Sequence, residues 1–294
     1  MGILDKLKGA FSEGATKLDI SKRFAMNRHA FHGTMSKFHV VKDIQTGDVF
    51  GIKLLDEEKT KHFRERFKGL NAPTEGEIGQ LIVHPLIAKT IEFGFTTQGK
   101  EYILMEWVNG PGMNVLIKNR DEEKLRPNRL MLMIKMAEAL NAVHEAGFIH
   151  RDVCPRNFIC TKDLSNIKLI DFGLTVPDKE EFRRPGNRTG TPQYMAPEVV
   201  RRRETDVRLD IFAFGVTMYR MLCFEHPWGS TDTTGMAALA HDQRPADDIR
   251  KYRPDLDETL AQTIHRCIEI DKEKRVSTMK RLVQYLKRVK SESK

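Results

Sequence analysis

Apolar positions come in short, interrupted runs over the first third of the chain and then settle into helical spacing. Between residues 24 and 52 the apolar runs are brief and broken by glycine and polar clusters. Phe38-His-Val-Val and Val49-Phe-Gly-Ile-Lys flank Asp43-Ile-Gln-Thr-Gly47-Asp, which predicts a β-hairpin. Residues 57–68 are densely charged and predict a surface helix. Pro73 opens a second helix over 74–83, which His84-Pro85 ends. Two more strands are expected over 87–95 and 101–108. Past Gly110-Pro-Gly112 the period changes: Leu130, Met133, Ile134, Ala137 and Leu140 mark one face of a helix over 130–145. Two short strands are expected at 158–160 and 167–170, with mostly helix from about residue 209.

Strands first and helices after predict an α+β chain of two lobes. The expected division is a small β-rich N-lobe over about 23–106, a hinge at 106–112 and a larger helical C-lobe over about 113–288. Residues 1–22 read as an N-terminal extension and 289–294 as a basic tail. In the extension, Ile3, Leu4, Leu7 and Phe11 share one face of a short amphipathic helix, with Asp5, Lys6 and Lys8 elsewhere. Such a helix suits docking on the N-lobe or weak membrane-surface contact through residues 1–20.

Composition narrows the setting. The chain has 294 residues, 40% hydrophobic and 31% charged. Its longest apolar runs fall well short of the roughly 18 residues of a membrane span, and its first residues lack a signal-peptide core. Cys154, Cys160, Cys223 and Cys267 form no CxxC pair and no zinc spacing, which suits a reducing compartment. The expected location is cytoplasmic, with a peripheral membrane contact as the variant. A net charge of +8 favours acidic partners but is too dispersed to argue for nucleic acid, and none is expected.

Four motifs in order carry the chemistry: Phe50-Gly-Ile-Lys53, His150-Arg-Asp152-Val-Cys-Pro-Arg-Asn157, Asp171-Phe-Gly173, and Gly190-Thr-Pro-Gln-Tyr-Met-Ala196-Pro-Glu198. Together they resemble the eukaryotic-type (Hanks-type) Ser/Thr protein kinases, from about residue 24 to 286. The resemblance implies a two-lobed kinase-like fold and transfer of the γ-phosphate of ATP to protein Ser/Thr hydroxyls. It implies Mg²⁺, with Mn²⁺ as a substitute, held by Asn157 and Asp171, and Asp152 as catalytic base. Lys53 would hold the α- and β-phosphates and pair with Glu75, which the family's spacing back from Pro85 selects over Glu77. Met105 would be the gatekeeper, with backbone groups of Glu106 and Val108 on the adenine edge and Ile159 under it. Thr191 would bond the catalytic aspartate. Glu198 would pair with Arg275, and Asp210 would hold the catalytic-loop backbone.

The chain also departs from the family. Phe31, Gly33 and Ser36 fall where its three loop glycines belong, so Phe31, His32, Gly33, Thr34, Met35 and Ser36 form an eroded phosphate loop. Cys154 stands where Ser/Thr kinases carry lysine, and Arg156 sits where tyrosine kinases carry arginine; either cation could reach the transferring phosphate. Phe38 replaces a valine above the adenine and Gly51 replaces an alanine, so the Phe38 ring is expected to tilt toward Gly51. These departures keep two alternatives open: a pseudokinase acting as a nucleotide-binding signalling scaffold, and a tyrosine or dual-specificity kinase. Thr189, and more weakly Thr175, are expected phosphorylation sites, with Arg151, Arg183, Arg184 and Arg188 available to hold a phosphate. Arg201, Arg202 and Arg203 add to a basic surface that favours acidic flanks around the acceptor.

Overall fold

Chain contacts divide the molecule into two units: the residues up to His84 together with Ala88–Trp107, and Pro85–Ile87 together with Val108–Lys294. The computed structural model describes residues 17–32, 36–186, 188–229, 238 and 244–293, with 27–32 as backbone path.

The first unit is built on five antiparallel strands: β1 (Phe24–His32), β2 (Ser36–Asp43), β3 (Val49–Leu55), β4 (Thr90–Phe95) and β5 (Glu101–Glu106). They lie side by side in the order β1-β2-β3-β5-β4. Alternate residues of a strand face opposite sides. One face buries Phe24, Val41, Ile52, Tyr102 and Leu104 as a core. The other carries Gly51, Lys53, Ile103 and Met105, with Lys53 opposite Ile103 and Gly51 opposite Met105. Asp43 closes the predicted hairpin, its Oδ1 accepting from the Gln45 and Thr46 N–H groups at 2.9 and 3.1 Å. Among the described residues the unit also holds three helices: α1 (Ile20–Arg23), α2 (Glu57–Glu65) and α3 (Glu75–Leu81).

The second unit holds α4 (Met113–Lys118), α5 (Glu122–Leu125), α6 (Arg129–Glu145), α7 (Glu180–Arg183), α8 (Pro197–Val200), α9 (Arg208–Cys223), α10 (Glu258–Cys267) and α11 (Met279–Arg288). Two small ribbons, β6 (Phe148–Ile149) with β9 (Val176–Pro177) and β7 (Phe158–Cys160) with β8 (Ile167–Leu169), sit among them. Helix α9 is buried almost all round, as its near-unbroken apolar sequence requires, and α10 packs on it while α11 packs on α6. Among the described residues no helix is long and apolar enough to cross a membrane.

Several expected boundaries move. The helix over 74–83 is shorter, because Thr74 is its N-cap: its hydroxyl accepts from the Glu77 N–H while the Glu77 carboxylate accepts from the Thr74 N–H. The strand expected from residue 87 begins at Thr90, since Ile87 bridges to Leu169 in the second unit. Residues 17–22, within the expected extension, pack against the sheet. Leu18 N–H donates to the Phe95 carbonyl at 3.0 Å, the Thr97 N–H donates to Leu18 at 2.9 Å, and the Leu18 side chain joins the sheet core. The expected amphipathic helix on Ile3, Leu4, Leu7 and Phe11 lies outside the described residues. The unit boundary falls between Trp107 and Val108, inside the expected hinge.

The basic tail is also corrected. Val289 and Glu292 are buried, and Leu256 bridges to Ser293. Glu292 meets two arginines of the interior: Arg129 at 2.9 Å and Arg253 at 2.8 Å. Arg129 is wholly enclosed and also pairs with Glu122. A run of lysines and arginines hides this one acid in the sequence, although the acid is what the buried cations need. Removing one partner of a buried pair leaves a charge without compensation. Glu292→Ala is therefore expected to lower unfolding free energy by on the order of 3 kcal/mol in urea. A loss under about 0.5 kcal/mol would place the pair with surface salt bridges.

Candidate active site

In the first unit, Lys53 projects from β3 and its Nζ lies 2.5 Å from Glu75 Oε1. Both side chains are nearly enclosed. Glu77, the competing acid, is spent on the helix cap. Phe38, opposite Lys53 on β2, leans its ring over Gly51: a Cβ on Gly51 would come within 2.8 Å of Phe38 Cε2. The ring also tilts against Trp107, with centroids 6.0 Å apart. Met105 stands across from Gly51, buried. The Glu106 N–H donates to the Lys89 carbonyl at 2.9 Å. Phe31 and His32 pair with Phe38 and Lys37 where β1 ends and β2 begins, and Ser36 starts β2, buried. Gly33, Thr34 and Met35 lie outside the described residues.

In the second unit, Asp152 is held from both sides. Its Oδ1 accepts from the Thr191 hydroxyl at 2.6 Å and the Thr191 N–H at 3.0 Å; its Oδ2 accepts from Arg156 Nη2 at 2.9 Å. The same arginine nitrogen donates to Thr191 Oγ1 at 2.9 Å. Asn157 donates its amide N–H to the Asp152 carbonyl at 2.8 Å, which turns its amide oxygen away from that bond. Asp171 Oδ1 accepts from the Gly173 N–H at 2.8 Å, a tight turn that orients the carboxylate. Ile159 lies in β7 and bridges to Gly112, and Val108 is buried.

Charge follows from this packing. Burial works against the Arg156 cation, yet the Asp152 carboxylate more than offsets it and raises the guanidinium pKa, with Asp171 adding to the effect. Arg156 is thus a fixed positive charge beside both acids. Burial pushes the Cys154 thiol up to about 12, with Asp152 contributing, so it packs as an inert apolar group.

The frame around the site comes from two buried acids. Glu198 makes a two-pronged ion pair with Arg275 at 2.7 and 2.8 Å, anchoring the end of the 190–198 segment. Asp210 accepts from the His150 and Arg151 N–H groups, each at 2.8 Å. Sequence reasoning missed His144, whose Nε2 lies 2.8 Å from the same carboxylate; its place at the end of α6, ahead of the motif, was the available signal. It named Gly190 in a motif without its reason: a φ of +124° and a close approach to the Arg151 carbonyl exclude a side chain there. Two expectations are corrected. Thr175 is buried, its hydroxyl donating to the His150 carbonyl at 3.3 Å, so it does not present itself to another kinase. Arg183 is committed to Asp178 at 2.7 Å, which takes it from the set expected to receive a phosphate.

Residues 27–286 match the protein kinase domain family. Relatives include the human hormonally up-regulated neu tumor-associated kinase, 30% identical over 67% of this chain and 27% of its own. A probable serine/threonine-protein kinase of Clostridium acetobutylicum is 33% identical over 65% of this chain and 29% of its own. One of Corynebacterium efficiens is 28% identical over 83% of this chain and 37% of its own. The chain thus spans between about a quarter and two fifths of these relatives' length.

The contact between Phe38 and Gly51 gives a test with opposite signs. Gly51→Val forces the added carbons into the Phe38 ring, an overpacking worth about 1–3 kcal/mol, and should weaken ATP binding in calorimetry. Phe38→Val removes the ring and should tighten it. The double variant should recover most of the Gly51→Val loss, because the two side chains share one space. Strictly additive effects would show that the two positions act independently.

Proposed function

The chain belongs to the protein kinase domain family, and from that premise we propose that it transfers the γ-phosphate of ATP to serine or threonine hydroxyls of protein substrates. The observation that carries the reading is the Asp152 carboxylate, gripped at one oxygen by Thr191 and at the other by Arg156. Asp152 accepts the proton of the acceptor hydroxyl. The hydroxyl oxygen bonds to the γ-phosphorus, the bond to the β–γ bridging oxygen breaks, and ADP leaves. Arg156 supplies beside Asp152 the charge that a lysine at position 154 would bring in other kinases. Lys53, kept in place by Glu75, holds the α- and β-phosphates.

Mg²⁺, or Mn²⁺ in its stead, would neutralise the phosphate oxygens. The carboxylate of Asp171 and the amide oxygen of Asn157 are hard donors that suit such a cation. The Thr191 bond to Asp152 supports Ser/Thr over Tyr. Acidic flanks suit the surface at Arg201, Arg202 and Arg203: all three are exposed and outnumber the exposed acid Glu204 beside them, while Glu198 is neutralised by Arg275. The Phe38 ring over Gly51 and the eroded phosphate loop favour a second reading, a nucleotide-binding scaffold without turnover.

Radiolabelled ATP with a generic protein substrate and phosphoamino-acid analysis separates the two. Label on serine or threonine is expected, and Asp152→Asn or Asp171→Asn should cut the rate by at least about 10²-fold with an unchanged melting curve. Near-wild-type turnover in either variant would remove the mechanism; label on tyrosine would remove the specificity. ATP binding with no transfer by the wild type would favour the scaffold. A peptide array with a preference for Arg or Lys beside the acceptor would contradict the acidic-flank assignment.

A further inference from the structure

Helix α3 is an unfavourable helix on its own terms. It has seven residues, and two are glycines, Gly76 and Gly79, spaced to share one face. Glycine is the poorest helix former after proline, and helices this short do not persist alone. Something outside the helix must repay these glycines, and β4 does so. A Cβ on Gly76 would come within 2.6 Å of Phe93 Cδ2 and 2.7 Å of Phe93 Cβ. A Cβ on Gly79 would overlap Thr90 Oγ1 and come within 3.1 Å of Thr90 Cβ. The helix backbone therefore lies directly on the strand, at a separation that any side chain would widen.

The sheet register connects this seat to Lys53. Phe93 on β4 pairs with Ile103 on β5, and Ile103 pairs with Lys53 on β3, so the three stand in one row across the sheet. Thr90, Met105 and Gly51 form the parallel row. Gly76 rests on the first row and Gly79 on the second. Glu75 precedes Gly76 and reaches along the first row to Lys53 at 2.5 Å. The Thr74–Glu77 cap and the buried Ile78 fix the rotation of the helix about its axis.

We propose that Gly76 and Gly79 are positioning residues: their contact with Phe93 and Thr90 sets the depth of α3 and thereby holds Glu75 on Lys53 within this unit, without an outside partner to press the helix in. The proposal rests on the kinase reading of the Lys53–Glu75 pair.

The test uses the full chain and Gly79→Ala, a change that raises intrinsic helix propensity yet forces α3 off the strand. Expected is a loss of kcat/KM on the order of 10²-fold, the scale of an ångström-level misplacement, with the melting midpoint near wild type. Thr90→Ala removes the overlapping oxygen. It should restore most of the activity in the Gly79→Ala background. In a Glu75→Ala background Gly79→Ala should cost nothing further, since the carboxylate it misplaces is gone. Wild-type kcat/KM in Gly79→Ala, failure of Thr90→Ala to rescue a folded Gly79→Ala variant, or losses that add to Glu75→Ala would each overturn the proposal. Should Gly79→Ala not fold, Gly76→Ala with Phe93→Ala as its rescue, which removes the Cγ and Cδ2 the added carbon meets, applies the same test. Full activity in both Lys53→Ala and Glu75→Ala would instead remove the kinase reading of the pair, and the proposal with it.

Discussion

Asp210 is fully enclosed at the start of α9, where burial alone would favour its neutral form. Its pKa is nevertheless lowered, because His144, His150 and the backbone N–H groups of His150 and Arg151 converge on it. Those two N–H groups belong to the loop that carries Asp152, and Arg151 there has a φ of +68°, a left-handed conformation unfavourable for a side-chain-bearing residue. An ionised acceptor in a low-dielectric interior makes strong hydrogen bonds. The strained turn and the buried charge thus support each other: the turn aims two donors at the carboxylate, and the carboxylate keeps the turn from relaxing.

The position of Asp152 follows from that turn. The loop leaves Arg151 with its carbonyl against Gly190, where no side chain would fit. This contact brings the following Thr191 close enough to give both its N–H and its hydroxyl to Asp152. Eight residues on from Gly190, Glu198 is locked to Arg275, which also donates to the carbonyls of Arg208, Glu269 and Ile270. The segment bearing Thr191 is thus tied at one end to the loop that carries Asp152 and at the other to the helical core. A pair so deeply enclosed adds little net stability compared with apolar packing. Its use is geometric, since it permits only one placement of the segment.

What the sequence makes legible depends on range. Alternation and turn chemistry place the hairpin at Asp43 and the strand from residue 101, because those signals are local. The long-range partners Lys53 and Glu75, or Glu198 and Arg275, are legible only through family spacing, since no local pattern encodes which acid meets which base. The errors have the same root. Leu18 and Glu292 sit in segments that look like solvated ends, and only the tertiary partners, the edge of β4 for one and Arg129 with Arg253 for the other, explain their burial. Ile87 reads as strand by its apolar neighbours, yet it pairs across to Leu169. Thr175 reads as an exposed hydroxyl because hydropathy does not see the carbonyl it donates to.

The departures from the family pattern are better understood as paired volumes and charges than as isolated losses. Phe38 occupies room that Gly51 vacates, so reverting either alone leaves a void or a clash. Arg156 brings its charge to Asp152 and Thr191, where Cys154, with its thiol held neutral, contributes none. Gly76 and Gly79 weaken α3 as a helix and strengthen it as a neighbour of β4. In each case the unusual residue is unfavourable by a local rule and sensible by its contact. An eroded motif in a single sequence is thus weak evidence for lost chemistry until the residue facing it has been identified, and here the facing residues are Phe38 for Gly51, Asp152 for Arg156, and Phe93 and Thr90 for the two helix glycines.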